Sequence, residues 1–369
     1  MKLLHTSDWH LGLDFYGADL TADQAHMLEE IARIAQEERV SAVLVAGDVF
    51  DRAVVGQDAI ALYNDAMRRL CLELRLPVIL CAGNHDGAAR LSSLSDLLKV
   101  AGLHIFGRVT AQDAQVDLGE AVVHVLPYVT ADDVRIAYPE QRERIGSAAD
   151  ALAVALEMRV PPRDGRRHIL MAHCFAAGGT PGQSDRAAAV GGALAVPTDC
   201  FAGYDYVALG HLHRAQTLAG GRVRYSGTPL CSSFAEAGQP KSVTILDTDD
   251  LSIREAPLHP LHAVREVNGT LEELLAKPSE DYLHLTVADE YATALVQEQL
   301  RAVCPNALLI DSGLQRSAGD APMLTMEEAV RDTPLDVAEK FYLYKTGMEM
   351  NDEQRGWFLK AIEDAEREE

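Results

Sequence analysis

Seven residues of this chain are of the types that bind divalent metal ions: Asp8, His10, Asp48, Asn84, His173, His211 and His213. Carboxylate, amide and imidazole together make a mixed N/O donor set, which suits Mn, Fe or Zn better than the all-oxygen set of Mg or Ca. Seven donors are too many for one ion. A carboxylate can bridge, so Asp48 is the expected shared ligand of two ions lying roughly 3.5 to 4 Å apart, the spacing used for in-line displacement at phosphorus. Two such ions outweigh the two aspartates in charge, and the result is a focused positive site for phosphate oxygens. The ions would also lower the pKa of bound water enough to form hydroxide near neutral pH. His85 follows Asn84 and is left to stabilise a phosphorane-like transition state or protonate the leaving oxygen, with Asp86 placed to orient it.

The elements that must position these groups are five short apolar runs, each ending at a donor. Lys2 to Thr6 leads into Asp8 and His10, Val43 to Ala46 into Gly47 and Asp48, and Val78 to Ala82 into Gly83 and Asn84. His168 to Ala172 ends at His173, and Tyr206 to Leu209 at Gly210 and His211. Runs of this kind read as strands buried on both faces, and in open α/β sheets functional groups gather beyond the carboxyl ends of such strands. Alternate residues of an extended segment share a face, so Asp8 with His10, and His211 with His213, point the same way. Glycines at 47, 83 and 210 let the backbone turn sharply beside a ligand.

Helical stretches alternate with these strands. Thr21-Ala22-Asp23-Gln24 has the form of a helix-opening capping box before Met27, Leu28, Ile31, Ile34 and Ala35 at helical spacing. Further helices are expected over about 56–74 and 91–101, which gives the pattern of a parallel, helix-covered sheet. From Leu103 the chain is richer in strands, at Val122 to Leu126, Val223 to Ser226, Ser242 to Leu246 and Leu251 to Ile253. Between His173 and Gly203, Gly178 to Ser184 lacks the Gly-Lys-Ser/Thr ending and the helix of a phosphate loop, so it reads as a mobile loop near the site.

At 369 residues, two or three domains are expected. A catalytic domain would end near Leu258, followed by an α+β unit over 259–311, a linker over 312–334 and helices over 335–369. Val337, Phe341, Tyr344, Trp357, Phe358, Ala361 and Ile362 give those last helices apolar faces that must dock somewhere. No apolar run approaches the roughly 18 residues of a membrane span, and the opening strand does not read as a signal peptide, so a cytoplasmic protein is expected. The six cysteines form no CxxC pair and read as incidental thiols. His5, His26, His104, His124, His168, His259, His262 and His284 read as structural. The net charge of −23 is awkward for a protein gripping nucleic acid through a broad basic surface. Either the substrate is small, or a local positive centre and a partner supply the attraction.

Asp8-Trp9-His10, Gly47-Asp48, Gly83-Asn84-His85-Asp86, His173 and Gly210-His211-Leu212-His213 resemble the calcineurin-type metallophosphoesterases. The longer stretches Leu4 to Gly12, Ala46 to Asp51, Tyr206 to His213 and Tyr225 to Pro229 resemble the SbcD-type nuclease subunits of bacterial SbcCD complexes, relatives of the meiotic-recombination nucleases. These motifs cover the first two thirds of the chain. The resemblance implies an α/β fold, a four-layer sandwich of two stacked sheets flanked by helices. It also implies a small DNA-capping domain and C-terminal helices that bind the coiled coil of a partner SMC-like ATPase, SbcC, in a heterotetramer with two copies of each. By the same resemblance Asp8, His10, Asp48 and His213 hold one ion, Asp48, Asn84, His173 and His211 the other, and His85 acts in catalysis. Manganese is the implied metal, DNA the implied substrate, and catalytic-domain helices over 56–74 and 91–101 the implied homodimer contact. One departure stands out: archaeal and eukaryotic relatives carry a His where this chain has Asp51, so a His-based DNA contact there does not carry over. The rival expectation is a dinuclear phosphomonoesterase or cyclic-nucleotide phosphodiesterase acting on small substrates.

Overall fold

The computed structural model describes residues 1–112, 114–182, 184, 195–314, 333–346, 350–351 and 354–360. The chain divides into two compact units, one of Met1–Glu266 with Glu280–Leu283 and one of Val267–Ser279 with His284–Glu369.

The first unit is built on two six-stranded sheets. One contains β1 (Lys2–Thr6), β2 (Ala42–Ala46), β3 (Val78–Cys81) and β4 (Leu103–Phe106). The other contains β5 (Gln115–Asp117), β6 (Ala121–Leu126), β7 (Arg167–His173), β8 (Tyr206–Gly210), β9 (Gln216–Leu218) and β10 (Val223–Tyr225). β11 (Ser242–Asp247) and β12 (Ile253–Pro257) return to the first sheet, giving the orders β12-β11-β1-β2-β3-β4 and β5-β6-β7-β8-β10-β9. β1 to β4 run parallel, and so do β6, β7, β8 and β10. The pairings β1–β11, β11–β12, β5–β6 and β9–β10 are antiparallel.

Strand residues alternate between two environments, and this alternation stacks the layers. Leu3, Ala42, Leu44, Ala46, Ile79 and Cys81 meet Val123, Val125, Ile169, Met171, Tyr206 and Ala208 between the sheets. On the outer face of the first sheet, Leu4, Val43, Val45 and Leu80 pack against Met27, Ile31 and Ala35 of helix α1 (Thr21–Glu37) and Ala59 and Met67 of α2 (Gln57–Met67). On the outer face of the second, Leu170, Ala172, Val207 and Leu209 pack with Val134 of α5 (Ala131–Ala137) and Ala151, Leu152 and Ala155 of α6 (Ala148–Glu157). The result is the helix–sheet–sheet–helix sandwich. The second helix continues to Glu73 through a π-helical turn.

Two helical expectations are corrected. Thr21 to Gln24 is no capping box: α1 begins at Thr21 with no side-chain cap, and Thr21 N instead donates to Asp19 Oδ1 at 2.9 Å. Asp23 and Gln24 are buried and used elsewhere. The stretch over 91–101 is not one helix but short turns, α3 (Ala88–Leu91), α4 (Ser95–Leu98) and a 3-10 turn, Lys99–Ala101. Leu94 sits between α3 and α4 at φ +59°, a left-handed conformation that cannot continue a right-handed helix.

A three-stranded sheet takes the order β13 (Val264–Gly269), β14 (Tyr282–Val287), β15 (Ala307–Ser312). Thr270 and Glu273 form a reciprocal capping box on α7 (Leu271–Leu275), and Thr293 caps α8 (Ala294–Val303). Leu274, Leu285, Val287, Val296, Leu300 and Ile310 are buried. α9 covers Pro334–Thr346. Asn351 and Gln354 exchange hydrogen bonds of 3.0 and 2.9 Å at the start of a helical stretch over 354–360. The linker expected over 312–334 lies mostly outside the described residues, as do most of the loop over 183–194, the positions of Ala361 and Ile362, and the side chains of Phe341 and Tyr344. Among the described residues no helix is long and apolar enough to cross a membrane.

Candidate metal centre

Every predicted donor lies at the carboxyl end of a parallel strand, and the set is divided between the sheets. β1, β2 and β3 of the first sheet lead to Asp8, His10, Asp48 and Asn84. β7 of the second ends at His173, and β8 leads to His211 and His213. The two sheets bring these ends together. His173 Nδ1 lies 2.8 Å from the carbonyl of Ala46, and His211 N donates to both Asp8 oxygens at 3.0 and 3.1 Å. His173 Nε2 is 2.9 Å from Asn84 Oδ1 and 3.3 Å from Asp48 Oδ2, and His211 Nδ1 is 2.9 Å from the same Asn84 oxygen. The His10 ring packs edge-on against those of His85 and His213, with centroids 4.9 and 5.1 Å away. A cleft of about 240 Å³ is lined by His10, Asp48, Asn84, His85, His211 and His213.

The backbone is bent to achieve this. Asp8, His10 and Asp48 have φ of 53°, 45° and 48°, and His211 reaches 102°. Left-handed conformations cost a non-glycine residue about 1–3 kcal/mol each and persist where the surroundings over-determine them. Glycine is required where neighbouring strand ends approach, within the first sheet at Gly83 and between the sheets at Gly210. A Cβ on Gly210 would lie 1.9 Å from the Ala46 carbonyl oxygen, and one on Gly83 would lie 2.1 Å from Asp48 Oδ1.

Burial and neighbouring charges pull the groups of the cluster in opposite directions. Burial pushes the Asp8 carboxyl up. Burial works in the same direction on Asp48, but the His173 imidazole opposes it and holds that carboxyl well below the usual range. Burial disfavours a proton on His173, yet Asp48 and Asp8 override it and raise this histidine to about 9. His211 is driven down to about 3 by burial and by His173. His173 spends Nδ1–H on Ala46, so its neutral ring would turn a lone pair toward the Asp48 carboxylate. Two electron-rich atoms facing each other need a proton or a metal cation between them. His10 makes the same point more sharply. Its Nδ1 stands 3.6 Å from Asp51 and its Nε2 4.0 Å from Asp48, so both buried ring nitrogens lack a hydrogen-bond partner. Asp8, His10 and Asp48 place ligand atoms within 4.8 Å of one another, as do His10, Asp51 and His85. The residues present therefore fit divalent cations.

The sequence profile of the calcineurin-like phosphoesterases matches residues 1–215 of the chain. The chain belongs to the calcineurin-like phosphoesterases. A second profile, SbcD_C, described as the type 5 capsule protein repressor C-terminal domain, matches residues 257–346 of this phosphoesterase. Among solved structures it is similar to a novel archaeal phosphodiesterase, with 16% identity over 70% of this chain and 100% of that one and a TM-score of 0.35. It is also similar to TT1561 of Thermus thermophilus, with 14% identity, 70% and 99% coverage and a TM-score of 0.41. A third is YfcE, a phosphoesterase from E. coli, with 18% identity, 72% and 100% coverage and a TM-score of 0.30.

As a phosphoesterase the chain is a metal-using hydrolase of phosphoesters, and several of its supporting contacts escape a reading of the motifs. Asp86 does not orient His85 as expected: its carboxylate accepts N–H bonds from Val49, Phe50 and Gly83 at 3.2, 3.0 and 2.8 Å. It ties the Asp48 loop to the Asn84 loop. His85 is instead fixed by its own N–H, which donates to Asp48 Oδ1 at 2.9 Å, and by Nδ1, 2.7 Å from the Asp51 carbonyl. Gln24 grips the Asp8–His10 loop, donating to the His10 carbonyl at 2.9 Å and accepting from Gly12 N at 3.1 Å. Glu236, buried behind His213, carries no sequence signal at all.

Proposed function

We propose that this chain is a manganese-dependent DNA nuclease, acting as exonuclease on duplex ends and endonuclease on single strands or hairpins, that works with an SMC-like ATPase of the SbcC type in DNA end processing, recombination and repair. One observation carries the reading: the calcineurin-like phosphoesterase match over residues 1–215 is followed in the same chain by the SbcD_C match at 257–346.

In this reading Asp8, His10, Asp48 and His213 would hold one ion, and Asp48, Asn84, His173 and His211 the other. The ions supply Lewis-acid charge that activates water and neutralises phosphate oxygens. His85 faces the cleft with Nδ1 fixed on the Asp51 carbonyl, so its Nε2 is the atom that meets the leaving oxygen or the charge developing at phosphorus. Asp86 holds the loops on either side in register.

Residues 1–258 are the nuclease domain, 259–311 cap the DNA, 312–334 link, and 335–369 bind the ATPase coiled coil, in a heterotetramer with two copies of each chain. Trp357 and Phe358 are 64% and 41% exposed, which supports a docking role for the last helices. Leu94, Leu97 and Val100, 67%, 70% and 93% exposed, with Ile60 on α2, support a homodimer through the catalytic unit. The location would be cytoplasmic, with the nucleoid. A partner that grips the duplex also resolves the charge of −23.

That same charge favours a second reading, a phosphomonoesterase or cyclic-nucleotide phosphodiesterase on small substrates. Incubation with linear duplex DNA under manganese, beside a small nonspecific phosphodiester, separates the two. The nuclease releases nucleotides from DNA and stops on chelation, and hydrolysis of the small ester with intact DNA would sink it.

A further inference from the structure

We infer that Glu236 is a positioning residue of the metal centre, fixing the His213 ring proton on Nδ1 so that the lone pair on Nε2 is presented to an ion. The inference rests on the metal-centre reading above. His213 Nδ1 lies 3.0 Å from Glu236 Oε1 and 2.9 Å from Ser232 Oγ, and Ser232 Oγ donates to the same Glu236 oxygen at 2.6 Å. An ionised carboxylate accepts and never donates, so Nδ1 is the protonated nitrogen.

The carboxylate is itself held on every side. Its Oε2 accepts from Lys241 Nζ at 2.6 Å, Thr228 Oγ1 at 3.2 Å and Ser232 N at 3.3 Å. Glu236 is 2% and Lys241 8% exposed, so the pair is a buried ion pair with its remaining polar positions satisfied. The ammonium balances the carboxylate, which keeps a full negative charge behind the imidazole and raises the ring's basicity toward a cation. The turn Phe234–Glu236 is anchored to the loop after β1, because the Phe234 ring packs against Phe15 and Tyr16 with centroids 5.4 and 4.9 Å away. Movement of that turn would therefore be felt by both the Asp8–His10 loop and His213.

Manganese titration of the metal-free full chain, read by EPR alongside thermal melts, tests this with wild type, Asp48→Asn and the double variant Glu236→Gln/Lys241→Met. The double variant removes both charges, leaving neither buried and unpaired. Wild type is expected to take up two ions and Asp48→Asn to lose both. The double variant should melt near wild type and bind one ion as before, with the other weakened about 10- to 100-fold. A double variant that binds both ions as tightly as wild type overturns the role of Glu236. A wild type that takes up no manganese overturns the metal centre itself, and the inference with it. Should the double variant not fold, imidazole nitrogen NMR on the wild type decides: a proton on His213 Nδ1 supports the inference and one on Nε2 refutes it.

Discussion

Buried histidines occur here in two settings, the interior of the sandwich and the rim where its strands end. In the interior, both ring nitrogens of His5 have partners, the Tyr206 hydroxyl and the Leu209 carbonyl, each at 3.1 Å. Burial holds that ring neutral, down to about 3. His168 is likewise satisfied, by His124 Nε2 and Asp164 Oδ1, both at 2.9 Å. At the rim, His10 has no hydrogen-bond partner on either nitrogen and His173 turns one toward a carboxylate. Buried polar groups are nearly always paired, so a pair of orphaned nitrogens among bent, acidic loops marks a place for a cation. Burial alone does not distinguish structural from functional imidazole. At His10 the missing hydrogen bonds do.

The comparison can be broken most directly at its centre. Asp48→Asn should abolish phosphoester hydrolysis and uptake of both ions while Tm stays within a few degrees, and retained manganese-dependent activity would overturn the rim's assignment. His85→Ala should keep both ions but slow turnover by about 10²–10⁴-fold, the range for a lost general acid; loss of metal in that variant would make His85 a ligand instead. Gly210→Ala forces a side chain into the Ala46 carbonyl and should cost about 1–3 kcal/mol, seen as a lower Tm, together with weaker metal binding through His173. His5→Phe should lose a comparable 1–3 kcal/mol, about the cost of leaving buried partners unpaired, yet leave metal stoichiometry unchanged; a change in stoichiometry would erase the contrast between interior and rim. The smallest effect is a protonic one. His173, raised to about 9 without metal, is protonated at neutral pH, so ion uptake should release a proton and tighten as pH rises toward 9. Metal-free protein should lose His173's stabilising contribution as pH climbs from 6.5 through about 9, a window in which His211, lowered to about 3, contributes nothing. Calorimetry in buffers of different ionisation heat reads the released proton.

The strands and the convergence of their end residues were legible because three of the five apolar runs lead into glycine and all five lead to Asp, Asn or His, a local pattern that needs no knowledge of packing. What failed depended on tertiary contacts. Thr21 to Gln24 has the spacing of a capping box, but Gln24 is drawn to the His10 carbonyl and Asp23 to Tyr282 and His262. The stretch from Leu91 to Ala101 has helical composition, yet Leu94 takes a left-handed conformation that interrupts the helix. Asp86 adjoins His85 in sequence, and adjacency suggested a partnership that three backbone N–H groups had already taken. Glu236 lies 23 residues from the ring it touches, with nothing in the spacing to connect them.

Because each proposed ion draws donors from β1–β3 on one side and from β7–β8 on the other, neither sheet alone owns a complete site. A chain caught during folding with one sheet assembled has only part of each coordination shell, so tight loading would wait until the small side chains of Ala42, Ala46 and Ala208 have closed the seam. The ions would then serve as late fasteners across that seam, and a chelator should speed amide exchange at the ends of β2 and β8 before it disturbs the outer helices.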